Sequence, residues 1–125
     1  MKSKYFKRSE FRCKGTDCDL NGNNCGFSVV DVDLLEVLED IREYFGKPVI
    51  INSACRCAKH NFDVGGSQNS MHTKGIAADI RVKDVDSDTV YFYLVNKYQD
   101  KFGIGRYNGR VHIDVRSDKA RWDSR

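Results

Sequence analysis

The sequence predicts an α+β fold in which two main helices pack on a small, largely antiparallel sheet. Three observations point there. Apolar residues recur at helical spacing in two stretches, each flanked by cap and stop residues. Short β-branched runs lie between and after them. Near the end an Asn-Gly pair separates two such runs, the strongest short hairpin signal. The order is helix, strand, loop, strand, helix, hairpin.

Residues 5–12 place Tyr5, Phe6 and Phe11 among basic residues and read as an N-terminal arm whose aromatics pack on the main body. Residues 13–26 read as an irregular cysteine loop. Residues 1–26 thus form an arm and loop packed on a main body over 27–125, a single domain in all. Leu34, Leu38, Ile41 and Phe45 then fall on one helical face. Asp33 suits the N-cap, with Glu36 three residues on as a capping-box partner. Gly46 ends the helix and Pro48 prevents its continuation. Val49–Ser53 is a β-branched run and predicts a strand. Residues 54–62 predict a turn and a short helical piece. Residues 64–70 form a polar, glycine-bearing loop that delivers the chain to His72. A second strand over Ala77–Val82 carries Asp79. A second helix over 87–101 has an apolar face of Val90 or Tyr91, Leu94, Tyr98 and Phe102, capped by Asp86 or Ser87 and stopped by Gly103. The runs 104–107 and 110–115 flank Asn108-Gly109, with His112 on the second. Trp122 is expected to cover an edge of the core.

Composition narrows the function classes. The chain has 125 residues, 40% hydrophobic and 31% charged, enough for one core. The net charge is +3, and its basic residues are spread along the chain. That argues against nucleic acid as the main partner and suits an anionic polymer such as a bacterial cell wall. No apolar stretch approaches the roughly 20 residues of a membrane span. The basic start, residues 1–8, is followed by no apolar h-region, so no signal peptide is expected. The five cysteines (Cys13, Cys18, Cys25, Cys55 and Cys57) are odd in number, and without a signal peptide the default is reduced thiols. The first three lie in a Gly/Asn-rich stretch with too few apolar residues for its own core, which a disulfide or a metal would help to order.

Chemistry concentrates at His72, Asp79 and His112. Two imidazoles and a carboxylate make a three-ligand set that leaves a bound zinc ion an open fourth position. Such a site lowers the pKa of water towards about 7 and polarises a scissile carbonyl. The ligands come from a loop, a strand and a hairpin strand. Gly75 lets the backbone turn tightly between the first two, and Ala77 keeps the approach uncrowded. Cys55-x-Cys57-x-x-His60 offers a competing closed zinc site that Cys13, Cys18 and Cys25 could join. Alternatively, Cys55 and Cys57 are small buried residues, or one of them faces Cys13 or Cys25 in a disulfide.

Ser70-x-His72-x-x-Gly75-x-Ala77-x-Asp79 resembles the SxHxxGxAxD signature of the M15 peptidases, the zinc D-Ala-D-Ala carboxypeptidases and related murein endopeptidases. Val111-His112-Ile113-Asp114 resembles the family's second motif. Residues 53–61, with Arg56, are similar to its arginine-bearing segment, usually SGYRCxxHN. Asp33-Leu34-Leu35 and Phe45-Gly46-Lys47-Pro48-Val49 match the lead-in, and the likeness covers roughly residues 27–122. It points to the subgroup of phage lysins and bacterial wall enzymes. The resemblance implies a hedgehog/D-Ala-D-Ala-peptidase-like fold with one Zn2+ per chain on His72, Asp79 and His112. It implies Arg56 as the cation that steadies a substrate carbonyl or carboxylate, and Ser70 as a substrate-binding or supporting hydrogen-bond group. The implied activity is hydrolysis of peptidoglycan stem peptides or cross-links by a monomer acting at the wall or periplasm.

One position departs from the pattern. Many members carry an acidic residue three places before the last histidine, where this chain has Gly109. Asp114 lies on the same side of its strand as His112, and is either the general base or a hydrogen-bond acceptor behind the ligand. The loss at Gly109 motivates a second reading, a wall-binding zinc module without catalysis. The cysteines motivate a third, a stapled interaction domain.

Overall fold

A computed structural model describes residues 3–15, 18, 25, 28, 30–66 and 70–125. Parts of the cysteine loop and the centre of the 64–70 loop lie outside the described residues. Among the described residues, five strands form one sheet: β1 (Val49–Ser53), β2 (Ala77–Val82), β3 (Gly103–Tyr107), β4 (Arg110–Asp114) and β5 (Ala120–Asp123). Their spatial order is β1-β2-β4-β3-β5. Every pairing is antiparallel except β3 with β5. The fold is therefore α+β with a mostly antiparallel sheet. β1 and β2 occupy the expected residues, and β5 is a strand that residue patterning did not predict.

Among the described residues, three α-helices accompany the sheet: α1 (Val32–Phe45), α2 (Ala58–Asp63) and α3 (Ser87–Lys97). The N-cap of α1 is Asp31, whose carboxylate accepts the Asp33 N–H at 2.8 Å. The expected cap at Asp33 is therefore displaced by two residues. Residue Leu34 then stands where the capping-box acid would be, and it is buried in the core. Gly46 takes φ +64 and ends α1 as expected. Helix α3 is capped by Asp86 but stops at Lys97, short of the expected residue 101. Beyond it the Arg121 guanidinium donates to the carbonyls of Tyr98, Lys101 and Phe102 and holds the non-helical segment that follows.

The core lies between the helices and one sheet face. Leu34, Leu38 and Ile41 of α1 and Val90 and Leu94 of α3 meet Ala78 and Ile80 of β2, Ile104 of β3, and Val111 and Ile113 of β4. Phe6 and Phe11 of the N-terminal arm are buried in the same cluster.

Strand alternation sends the other side chains to the opposite face. There the register sets Asp79, His112, Gly105 and Trp122 side by side across β2, β4, β3 and β5. The hairpin between β3 and β4 closes through Asn108-Gly109, with Gly109 at φ +76.

Candidate metal centre

His72 is carried on a single 3-10 turn, Met71–Lys74, which Ser70 caps by accepting the His72 N–H at 3.2 Å. Gly75 follows at φ +73, a left-handed conformation that a residue with a Cβ adopts only under strain. The turn places His72 beside the start of β2, where Asp79 projects. Asp79 and His112 are opposed on β2 and β4.

The three side chains converge. His72 Nε2 lies 3.3 Å from Asp79 Oδ2, and His112 Nδ1 lies 3.1 Å from Asp79 Oδ1. The three candidate donor atoms all fall within 4.8 Å of one another. Each imidazole is held by a partner on its far side. His72 Nδ1 is 2.7 Å from the Ala54 carbonyl, and His112 Nε2 is 2.7 Å from Asp114 Oδ2. Both partners accept, so each ring donates its proton outward and turns a bare nitrogen to Asp79. Three acceptors then face one another, an arrangement that a metal ion or an extra proton must satisfy. Two imidazole nitrogens and a carboxylate oxygen suit zinc.

The electrostatics follow from this geometry. Burial pushes the Asp79 carboxyl up, but the facing rings of His112 and His72 outweigh it and hold it well below the usual carboxylate range. Burial opposes a charge on His112, yet its bonds to Asp114 and Asp79 prevail and raise its pKa. Burial likewise opposes the Asp114 charge, and His112 with Arg116 overcomes it, leaving that carboxyl depressed.

Arg56 stands at the edge of the centre. Its guanidinium donates to Ser53 Oγ at 3.2 Å, to Asn61 Oδ1 at 3.2 Å and to Asp79 Oδ2 at 3.5 Å. Burial lowers its pKa, and the nearby Asp79 charge counters that. Arg56, Ser70, His72, Asp79 and His112 all line one cleft of about 410 Å³.

Asp114 does not line it. It lies on the same side of β4 as His112, but it is 0% exposed and bonds the ring nitrogen turned away from Asp79. Arg116 takes the same carboxylate through Nε and Nη2, each at 2.7 Å. Of the two roles open to Asp114, this geometry matches the acceptor behind His112.

Sequence reasoning missed part of the cleft wall. Trp122 packs at a tilt of 51° with its ring centroid 5.0 Å from that of His112 and donates Nε1–H to the Tyr107 hydroxyl at 2.9 Å. It was expected at a core edge, and the unrecognised β5 places it over the site instead. Tyr107, Arg110 and Arg116 line the same cleft. The period-2 spacing of Arg110, His112, Asp114 and Arg116 was the available signal for one shared face.

Among the described residues, the competing grouping of Cys55, Cys57 and His60 does not form as such. Cys57 instead gathers with Cys13, Cys18 and Cys25, while Cys55 is buried.

The fold and this centre define a small α+β domain with a candidate metal site of hydrolytic type in a basic cleft. A family model described as Peptidase M15 matches residues 4–114, and the chain belongs to that family. Membership gives it a peptidase role. No curated protein matches the chain. Among the described residues, no helix is long and apolar enough to cross a membrane.

Proposed function

We propose that this chain is a zinc metallopeptidase that hydrolyses peptide bonds of peptidoglycan stem peptides or cross-links, as a D,D-carboxypeptidase or endopeptidase. The observation that carries this reading is the convergence of His72 Nε2, Asp79 and His112 Nδ1 in a cleft of an M15 chain. These three would hold the ion. When bound, zinc supplies Lewis acidity toward a carbonyl oxygen and toward water.

The chain's own residues do the rest. Arg56 offers a fixed cation to a substrate carbonyl or carboxylate as negative charge develops, and its bonds to Ser53 and Asn61 hold it in place beforehand. Ser70 fixes the turn that carries His72 and presents its residue to the cleft. Asp114 acts as a positioning residue that keeps the proton of His112 on Nε2. Trp122 and Tyr107 supply an aromatic wall with a hydroxyl. Arg110 adds positive charge, which suits the carboxylates of wall peptides. The chain acts as a monomer at the wall or periplasm, in the manner of a lysin.

A second reading, a zinc-dependent wall-binding module without catalysis, is favoured by one observation. Among the described residues lining the cleft, Asp79 is the only carboxylate, and Gly109 stands where many relatives carry an acid. Purified protein incubated with murein sacculi and with a D-Ala-D-Ala peptide, with and without chelator, separates the two. The peptidase gives chelator-sensitive products whose masses name the bond cleaved. Zinc bound at the His72 centre with no turnover on either substrate overturns the peptidase in favour of the module.

A further inference from the structure

We propose that Cys13, Cys18, Cys25 and Cys57 bind a second zinc ion in a closed tetrathiolate site that pins the N-terminal arm to the segment bearing Arg56. Their four Sγ atoms lie within 4.8 Å of one another. Cys13 Sγ is 3.7 Å from Cys57 Sγ and 3.9 Å from Cys18 Sγ. Four sulfurs about 2.3 Å from a shared zinc sit about 3.8 Å apart along the edges of a tetrahedron. A disulfide requires about 2.05 Å, so these spacings fit a shared ion and not a bonded pair.

Neither burial nor hydrogen bonding accounts for the gathering. Cys25 is exposed and Cys18 only half-buried, and the thiol is a weak donor and weak acceptor. Between Cys13 and Cys25 the sequence holds a single large apolar residue, Leu20, so no local core draws them together. The backbone is arranged around the sulfurs instead. The His60 N–H points at Cys57 Sγ at 3.4 Å. The N–H groups of Gly15 and Cys57 bond Cys13 Sγ, and that of Cys25 bonds Cys18 Sγ. Gly15 leaves room for the cluster: a Cβ there would come within 2.7 Å of Cys18 Sγ. Four thiolates in a tetrahedron are a closed structural zinc set with no position left for substrate.

Its consequence reaches the cleft through the chain. Cys55 N–H bonds the Phe11 carbonyl at 3.1 Å, and Arg56 N–H bonds the His72 carbonyl at 3.1 Å. The Ala54 carbonyl orients His72. An ion on Cys57 therefore anchors the strip that sets both His72 and Arg56.

Metal analysis of protein prepared with zinc under reducing conditions tests this. Two zinc ions per chain are expected. His72→Ala lowers the content to one, and its cobalt-substituted form keeps a thiolate-to-metal charge-transfer band. Cys25→Ser also lowers it to one and abolishes that band, with the far-UV circular dichroism retained. A measurement on the unaltered chain stands beside the variants: Cys25, although exposed, resists alkylation until a chelator strips the metal. Rapid alkylation of Cys25 in zinc-replete protein overturns the proposal. So does a single zinc that His72→Ala removes entirely, iron in place of zinc, or an unreduced mass four hydrogens low, which marks two disulfides.

Discussion

His112 Nε2 lies 2.7 Å from Asp114 Oδ2, and Arg116 grips the same carboxylate from its other side. The space is made by Gly103, where a Cβ would come within 2.4 Å of Oδ2. Asp114 has no exposed surface, and its lone pairs are spent on His112 and Arg116. Its effect on any metal is therefore exerted through the ring of His112. Asp114→Asn keeps the shape but removes the charge that holds the Nε2 proton. Zinc affinity at this centre is expected to fall on the order of 10–100-fold, read by competition with a chelator of known affinity. Wild-type affinity in the variant would reduce Asp114 to a packing role.

Gly105 sits between His112 and Trp122 in register, and a Cβ there would come within 2.4 Å of the Trp122 ring. The ring is tethered through its bond to Tyr107, so Gly105→Ala must push it off His112. The expected cost is about 1–3 kcal/mol of stability. Trp122 is the only tryptophan, so its fluorescence reports the displacement directly. Unchanged emission and an unchanged denaturation midpoint would show that the ring does not rest on Gly105.

β1 and β2 were legible from local chemistry, and the donor set from ligand chemistry together with the resemblance to the family's motifs. Val49–Ser53 and Ala77–Val82 show β-branched or alternating patterns, and His72, Asp79 and His112 are ligand types whose motif spacing survives folding. The cap of α1 was misplaced because Asp31 and Asp33 are equally suited as residues; only the backbone at Asp31 shows which is used. The end of α3 was hidden because the backbone leaves the helical region at Tyr98, and the segment beyond is held by Arg121, distant in sequence. β5 lacks a pattern of its own: Ala120–Asp123 is a strand through its parallel pairing with β3, with Trp122 seated on Gly105. The thiol cluster joins Cys57 to cysteines far earlier in the chain, a pairing that no local spacing encodes.

Phe11 has no exposed surface and lies with Phe6 in the cluster that contains Leu38 and Ile80. The arm is thus part of the main core. Phe11→Ala is expected to cost about 3–5 kcal/mol, through lost burial and the cavity left behind. Urea denaturation should remain a single transition with a lower midpoint. A variant as stable as the parent, or a separate early transition, would mean that the arm is an independent appendage.

In the metal-free protein Asp79 and His112 make stability depend on pH in opposite senses. The Asp79 carboxyl is depressed on folding, so its contribution is present above the ordinary value of about 3.9 and is lost as pH falls through the lower folded value. The pKa of His112 is raised on folding, so its contribution is complete below about 6.5 and is lost as pH rises through the raised value. Melting temperatures with chelator present should therefore be highest between about pH 4 and 6.5 and decline towards pH 8. Zinc requires His112 without its extra proton, so zinc stabilises more as pH rises and the alkaline decline should vanish in the loaded protein. A chelated protein whose stability climbs steadily from pH 5 to 8 would contradict the assignment of that charge to His112.

Arg56 spans three acceptors, Ser53, Asn61 and Asp79, with one rigid fork. A lysine offers a point charge that cannot meet all three, so Arg56→Lys should recover only part of what Arg56→Ala loses. Arg56 is not among the proposed metal ligands, and zinc at the His72 centre should be retained in both variants. If the guanidinium steadies charge that develops during peptide hydrolysis, kcat falls on the order of 10²–10³-fold with KM little changed. If it instead clamps a carboxylate already present on the substrate, KM rises while kcat holds. The two outcomes also bear on the bond attacked, since a carboxypeptidase always meets a terminal carboxylate and an endopeptidase need not. Kinetics equal to the parent's in Arg56→Ala would confine this arginine to bracing the turn at Ser53 and Asn61.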